Sequence, residues 1–178
     1  MKTSHQIYAR VAGFTFLAYI AAGITSMTLG DQSQASGLLA LIQSFSALTL
    51  GVTLFALTYE QGLILALFAL TCRVAEAIQS GESAAIYFSV GSLFFSWLLL
   101  RGRSIPTWLA WVGVIASALL VVILPLQLVG FFGGTMSWAS SVTWLVWLPI
   151  LVFEVTLAFW FMIKGVAIPT AQNRLSNI

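Results

Sequence analysis

Long apolar stretches alternate with short polar segments along almost the whole chain. The polar segments consist of turn-forming residues and charges, for example Gly30-Asp31-Gln32-Ser33 and Gly133-Gly134-Thr135. Each apolar stretch has about the 20 residues that one helix needs to cross a bilayer. The pattern therefore predicts an all-α bundle of six transmembrane helices, forming a single polytopic membrane domain over residues 1–178. The predicted helices run roughly over Val11–Leu29, Ser36–Thr58, Leu63–Gln79, Ala84–Leu100, Thr107–Gly130 and Trp138–Ile163.

The composition supports a membrane protein and excludes several other classes. Sixty per cent of the residues are hydrophobic and 7% are charged, whereas a soluble domain has about 25% charged residues. Membrane lipids are therefore the expected surroundings of the helices. The net charge of +2 is too small to indicate a nucleic-acid partner. A lone cysteine, Cys72, cannot form an internal disulfide.

Lysine and arginine are distributed unevenly over the predicted loops. In a six-helix topology, the loops on one side carry almost all of the basic residues, and those on the other side carry Asp31 and Glu82 with no lysine or arginine. Because basic loops stay in the cytoplasm, we expect both termini there and a multi-pass location in a bacterial inner membrane. The basic residues on the cytoplasmic side are Lys2, Arg10, Arg101, Arg103, Lys164 and Arg174.

Small and polar residues recur at helical spacing in several predicted helices. Membrane helices pack through such residues, so the stripes mark inward faces, and close packing alone is enough to explain them. The inward positions are Ala12, Thr15, Tyr19, Ala22 and Ser26 in the first helix, Gln43, Ala47 and Gly51 in the second, Ala66, Ala69, Arg73, Glu76, Ala77 and Ser80 in the third, Ala85, Ser89, Ser92 and Ser96 in the fourth, and Ala110, Gly113 and Ser117 in the fifth.

The third predicted helix is unusual because it carries two charges, Arg73 and Glu76, one turn apart. An arginine near the middle of a bilayer costs about 2.5–3.5 kcal/mol on insertion scales, and an acid has a similar cost. The apolar side chains of this helix return about 0.3–0.6 kcal/mol each, so the sum is close to zero. The helix is therefore expected to need charge partners within the bundle.

Glu154 of the sixth helix is the expected partner on another helix. Counted at 1.5 Å per residue, Arg73 lies roughly 15–18 Å above the cytoplasmic end of its helix, and Glu154 lies about 14 Å above the end of its own. Glu76 shares a helix face with Arg73. One guanidinium at this depth can pair with both carboxylates. Trp147 lies on the same face as Glu154, about two turns away.

This cluster is compatible with three functions. It can be a structural ion cluster that fixes one helix against another. It can line a polar cavity for a lipid or small hydrophobic ligand, with Arg73, Glu76, Glu154, Tyr19, Gln43 and Trp147 as the ligand-binding residues. It can also be the site of an intramembrane enzyme, in which Glu76 and Glu154 act as an acid/base pair on a lipid or isoprenoid substrate. A gap of roughly 300 Å³ or more beside Glu154, open sideways to lipid, would favour a lipid ligand or a substrate over a purely structural role.

The sequence predicts neither a metal site nor a cofactor. The single histidine, His5, lies in the amino-terminal tail, so haem ligation and the usual zinc sites are not expected. No lysine lies within a predicted helix, which excludes a retinal Schiff base. Glycine-rich phosphate-binding loops are also missing from the sequence.

Four short motifs carry a resemblance to a known family. They are Arg10-x-Ala12-Gly13, Arg73-x-x-Glu76-Ala77, the hairpin from Phe95-Ser96-x-Leu98-Leu99 to Arg103-x-Ile105-Pro106-x-x-Leu109-Ala110, and Glu154-x-x-Leu157-x-x-Trp160 followed by Lys164-Gly165. The sequence resembles the bacterial membrane proteins grouped as domain of unknown function 4386. The resemblance implies a six-helix integral membrane protein and implies no established reaction.

Overall fold

The computed structural model describes residues 2–29, 35–131 and 141–167, and the structure there is α-helical apart from loops and short 3₁₀ segments. The predicted all-α class and six helices are confirmed within these residues. Asp31, Ser33, Trp138 and Arg174, on which parts of the topology prediction and the predicted start of the sixth helix depend, lie outside the described residues. The helices are α1 (Lys2–Leu29), α2 (Ser36–Thr58), α3 (Leu63–Ile78), α4 (Gly81–Arg101), α5 (Thr107–Leu128) and α6 (Ser141–Ile163), with the 3₁₀ turn at Tyr59–Gln61.

Five of the helices, α1, α2, α4, α5 and α6, are long and apolar enough to cross a membrane. The chain is therefore a multi-pass membrane protein. The exception among the described helices is α3, which has 16 residues and contains Arg73 and Glu76. At 1.5 Å per residue it is about 24 Å long, shorter than the roughly 30 Å hydrocarbon core of a bilayer.

Two helices begin earlier than the hydrophobic pattern predicts. α1 begins at Lys2 rather than Val11, because the polar segment before the apolar stretch contains neither proline nor glycine and continues the same helix. α4 begins at Gly81 rather than Ala84 and includes Glu82 in its first turn. A carboxylate there is stabilised by the helix dipole. Hydrophobicity marks the part of a helix that contacts lipid or core, not the whole helix.

The helices form a ring in chain order. Each helix packs against the next one in the sequence, and α6 closes the ring by packing against α1. Small residues allow close approach at two of these contacts. A Cβ at Gly113 of α5 would collide with the Phe153 ring of α6, and a Cβ at Gly13 of α1 would lie 2.7 Å from the Ala158 carbonyl oxygen of α6. The predicted inward position of Gly113 is thus a helix contact.

α3 runs along its neighbours despite its short length. Near its end, the Ser44 hydroxyl of α2 donates to the Ala77 carbonyl oxygen at 2.7 Å. Near its start, a Cβ at Gly62 would lie 3.3 Å from the Leu98 side chain of α4. Because position 44 is early in α2 and position 98 is late in α4, α3 is antiparallel to both. The charged helix is therefore a full member of the ring.

One end of the bundle, here called the basic end, is held together by contacts distant in sequence. The Gln6 amide donates to the Val166 carbonyl oxygen at 2.9 Å. The Ala167 amide donates to the Ser104 carbonyl oxygen, also at 2.9 Å. These bonds join the start of α1, the α4–α5 loop and the segment after α6. The exposed basic residues at this end are Arg10, Arg101, Arg103 and Lys164.

Candidate functional site

Arg73 lies in the middle of the bundle, and two glycines make room for its stem. The residue is 1% exposed. A Cβ at Gly51 of α2 would lie 2.9 Å from the Arg73 Cβ, and a Cβ at Gly91 of α4 would lie 3.7 Å from its Cγ. The arginine therefore enters the interior between α2 and α4, along a path that side chains at positions 51 and 91 would narrow.

Glu76 is the closely bound partner of Arg73. The Arg73 Nη1 donates to the Glu76 Oε2 at 2.9 Å, and the pair is buried, with side-chain exposures of 1% and 4%. The Tyr19 hydroxyl of α1 donates to the other carboxylate oxygen, Oε1, at 2.7 Å. Both oxygens of Glu76 are thus engaged, so this carboxylate is fixed by α1 and by its own helix.

Glu154 is held less closely. Its Oε1 lies 3.7 Å from the Arg73 Nη2, an ion pair beyond hydrogen-bond distance. That Nη2 instead donates to the Ser92 hydroxyl oxygen of α4 at 3.0 Å. The predicted cluster of Arg73, Glu76 and Glu154 is confirmed, and all three residues are at most 5% exposed. Arg73 therefore makes a hydrogen-bonded ion pair with Glu76 and a longer ion pair with Glu154.

An aromatic ring packs against the guanidinium, and two further rings pack against that ring. Its central carbon lies 4.8 Å from the centroid of the Phe88 ring, a cation–π contact that strengthens away from water. The Phe88 ring also stacks on Trp147, with centroids 5.6 Å apart, and lies parallel to Tyr19 at 6.4 Å. The Arg73 Nε has no hydrogen-bond partner in the described part of the chain. The ring face of Phe88 therefore replaces part of the solvation of the cation.

A cavity of about 560 Å³ lies beside the cluster. It reaches from Glu76 and Glu154 toward the end of the bundle opposite the basic end, where α3 ends and α4 begins. Helices α1, α2, α3, α4 and α6 contribute to its wall. The charged residues among its described lining are Glu76, Glu82 and Glu154, and Arg73 is not part of the lining. The apolar residues of the wall are Ile20, Ile24, Met27, Ala40, Ala47, Ala77, Ala84, Ala85, Phe88, Trp144, Trp147, Leu148, Ile150 and Leu151.

The structure brings together most of the residues that the sequence predicted for a ligand site. Five of the six line the cavity, and the sixth, Arg73, lies behind Phe88 and positions Glu76. Their role in binding a ligand stays a prediction. The five lining residues are Tyr19, Gln43, Glu76, Trp147 and Glu154.

Sequence reasoning missed two members of the site. Ser92 belongs to the predicted serine stripe, and this spacing indicated an inward face without indicating a hydrogen bond to Arg73. Phe88 had no distinguishing signal, because it is one of 13 phenylalanines in a chain rich in apolar residues. Phe88 lies one turn before Ser92 on α4. This position indicates a contact with Arg73 only once the structure shows that this face of α4 packs against Arg73.

The fold and the site define an all-α, multi-pass membrane protein with a buried Arg–Glu–Glu cluster. Residues 79–165 match the model of the family described as Domain of unknown function (DUF4386). The match covers slightly less than half of the 178-residue chain, and the resemblance found in the sequence is confirmed over this range. It includes the Arg103-x-Ile105-Pro106 hairpin and Glu154 and begins after Arg73 and Glu76. No curated protein and no solved structure matches the chain.

Proposed function

We propose that the protein binds a lipid or a small hydrophobic molecule in the cavity beside Glu76 and Glu154. The observation that carries the proposal is the combination of a cavity of about 560 Å³ with two buried carboxylates at its inner end. Ligand pockets typically measure about 300–1,000 Å³ and have mostly apolar walls with a few placed polar groups. The wall described above has this composition.

The cavity favours ligand binding over a purely structural role for the cluster. Protein interiors are packed so densely that few voids exceed the size of a water molecule. A cluster with the single role of fixing α3 against α6 would be more stable if neighbouring side chains filled the space around its charges. Glu154 instead borders the empty volume, and the distance between its Oε1 and the Arg73 Nη2 is 3.7 Å.

The enzymatic alternative has weaker geometric support. An acid/base pair needs carboxylates that can exchange a proton with a substrate. The two oxygens of Glu76 are occupied by the Arg73 Nη1 and the Tyr19 hydroxyl, so its proton transfer would first require the loss of a short hydrogen bond. Glu154 faces the cavity with no such hydrogen bond among the described residues, and this suits an anchor for a ligand.

Filling the cavity is expected to displace its ligand. Ala84 lines the cavity on α4, and Ala84→Phe puts a ring into that space. Native mass spectrometry of protein released from membranes in mild detergent should show a bound amphiphile on the parent. We expect its occupancy on the variant to fall at least about tenfold, which corresponds to about 1.4 kcal/mol. The matched control is Ala18→Phe, an exposed position on α1 outside the cavity wall. Equal occupancy on Ala84→Phe and the parent would contradict the proposal.

We also propose that both termini face the cytoplasm and that the protein resides in a bacterial inner membrane. The support is the collection of Arg10, Arg101, Arg103 and Lys164 at the basic end, because positively charged loops stay inside. Ser83 and Thr107 are exposed near opposite ends of the bundle. In a Cys72→Ser background, a membrane-impermeant maleimide added to intact cells should label Ser83→Cys and leave Thr107→Cys unlabelled until lysis. Labelling of position 107 in intact cells would refute this topology.

A further inference from the structure

The charges around the cavity do not balance. One guanidinium faces two carboxylates, and it donates its hydrogen bonds to Glu76 and Ser92. Glu154 is 4% exposed, lines the cavity and is left with an ion pair at 3.7 Å. Within the described part of the chain no hydrogen bond reaches its carboxylate. A buried carboxylate that lacks hydrogen bonds is costly, so it is a strong acceptor for any donor that enters. A positively charged group is therefore expected to bind favourably next to the Glu154 carboxylate.

The cavity wall selects against anions. All charged residues among its described lining are acidic, and they are Glu76, Glu82 and Glu154. Arg73 pairs with Glu76 at 2.9 Å and lies 3.7 Å from Glu154, so its single charge cannot balance all three acids. Its guanidinium packs against Phe88 and is not part of the described lining. A phosphate or carboxylate headgroup entering this space would meet repulsion from each charged residue of the described lining, which contains no lysine or arginine. Repulsion of the wrong charge is an effective source of specificity.

Two aromatic rings line the same cavity as Glu154. Phe88 and Trp147 line the cavity and stack with ring centroids 5.6 Å apart. Trp147 lies about two turns from Glu154 on α6, on the face that turns toward the cavity. The faces of aromatic rings attract ammonium groups, and quaternary ammonium ligands are recognised in this way. The remaining wall is apolar and suits an alkyl chain.

We propose that the ligand is a cationic amphiphile, an amine or quaternary ammonium group on a single apolar chain, whose charged group binds Glu154 beside Phe88 and Trp147. The inference rests on the proposed function and adds the sign of the ligand charge and the residue that anchors it. The apolar chain then extends along the wall formed by residues such as Ile20 and Leu151.

A set of three ligands with the same chain tests this charge preference. Tritiated decyltrimethylammonium is bound to the purified protein in a non-ionic detergent, below its own micelle concentration, and competed with unlabelled decyltrimethylammonium, decanol or decanoate. We expect the unlabelled cation to displace the tracer at concentrations at least about tenfold lower than decanol requires, and decanoate to displace it least. Equal displacement by all three compounds would overturn the charge preference.

Glu154→Gln tests the anchor at nearly constant shape. We expect it to weaken binding of decyltrimethylammonium at least about tenfold. The control, Glu60→Gln, removes the same charge at an exposed residue of the 3₁₀ turn outside the cavity and should bind like the parent. Binding to Glu154→Gln with the parent affinity would overturn the assignment. If this variant does not fold, the cation preference of the parent over decanol still decides the proposal.

The outcomes separate this inference from the proposed function. A parent protein that fails to bind the cation but carries an amphiphile sensitive to Ala84→Phe would overturn the cationic ligand and keep the binding site. A parent protein with neither the cation nor a bound amphiphile would overturn both. Cation binding that is sensitive to Glu154→Gln and to Ala84→Phe supports both.

Discussion

Arg73→Ala is expected to destabilise the folded bundle by about 3–5 kcal/mol, the typical result of removing one partner from a buried ion pair. The substitution removes the hydrogen bond from Nη1 to Glu76 and the bond from Nη2 to Ser92. It also leaves two carboxylates without a cation in the interior and opens a void between Gly51 and Gly91. The effect is measured as the change in the thermal midpoint in detergent. Size-exclusion chromatography of heated samples monitors the remaining folded protein.

The glutamine variants of the two acids are the controls for this result. Glu76→Gln keeps an oxygen that accepts from the Tyr19 hydroxyl or the Arg73 Nη1, so its loss of stability should be smaller than that of Arg73→Ala. Glu154→Gln should have the smallest effect, because the ion pair at 3.7 Å is the sole polar contact of its carboxylate with the described residues. An Arg73→Ala protein that melts at the parent temperature would show that the cluster is not the centre of the bundle's stability.

The helices and the charged cluster could be predicted for a specific physical reason. A bilayer demands apolar stretches of helical length, so the hydrophobic pattern shows the helices directly. Two charges in one short helix must find partners, and the chain contains only five acidic residues. Asp31, Glu60 and Glu82 fall in or next to predicted loops. Glu154 was therefore the sole acid on another helix at a matching depth.

The cavity and the unequal sharing of Arg73 could not be predicted in the same way. Counting the rise per residue places a side chain to within about a turn, or 5.4 Å, whereas a hydrogen bond is made or lost over less than 1 Å. Counting residues is therefore too coarse to show whether the Arg73 Nη2 donates to Ser92 or to Glu154. The cavity depends on how five helices fit together, and no sequence spacing encodes an empty volume.

The same limits explain why α3 was predicted to be slightly longer than it is. The pattern extended it to Gln79, and the structure ends it at Ile78 with Gln79 in an extended conformation. With 16 residues it is shorter than the five apolar helices, and Glu76 near its end lines the cavity. A short helix between two long neighbours is a property of the packed ring.

Replacing the whole charged cluster should preserve the fold and abolish ligand binding. The triple variant Arg73→Met, Glu76→Gln, Glu154→Gln removes every charge of the cluster at nearly constant volume. Neutral replacements of a buried ion cluster are often neutral or stabilising by about 1–4 kcal/mol. The change also lowers the insertion cost of α3, since an arginine in mid-bilayer costs about 2.5–3.5 kcal/mol. We therefore expect a melting temperature equal to that of the parent or higher.

Stability without binding is the result that distinguishes a functional cluster from a structural one. A structural cluster only has to satisfy its own charges, so a well-packed neutral set should serve equally well and leave the protein fully active. A ligand that pairs with an ionised carboxylate in the interior loses its anchor in the triple variant. The decisive measurements are the melting temperature, the amphiphile retained in native mass spectrometry and complementation of a deletion strain. A stable triple variant that keeps its amphiphile and complements fully would refute the binding role, because the charges would then be needed only for each other.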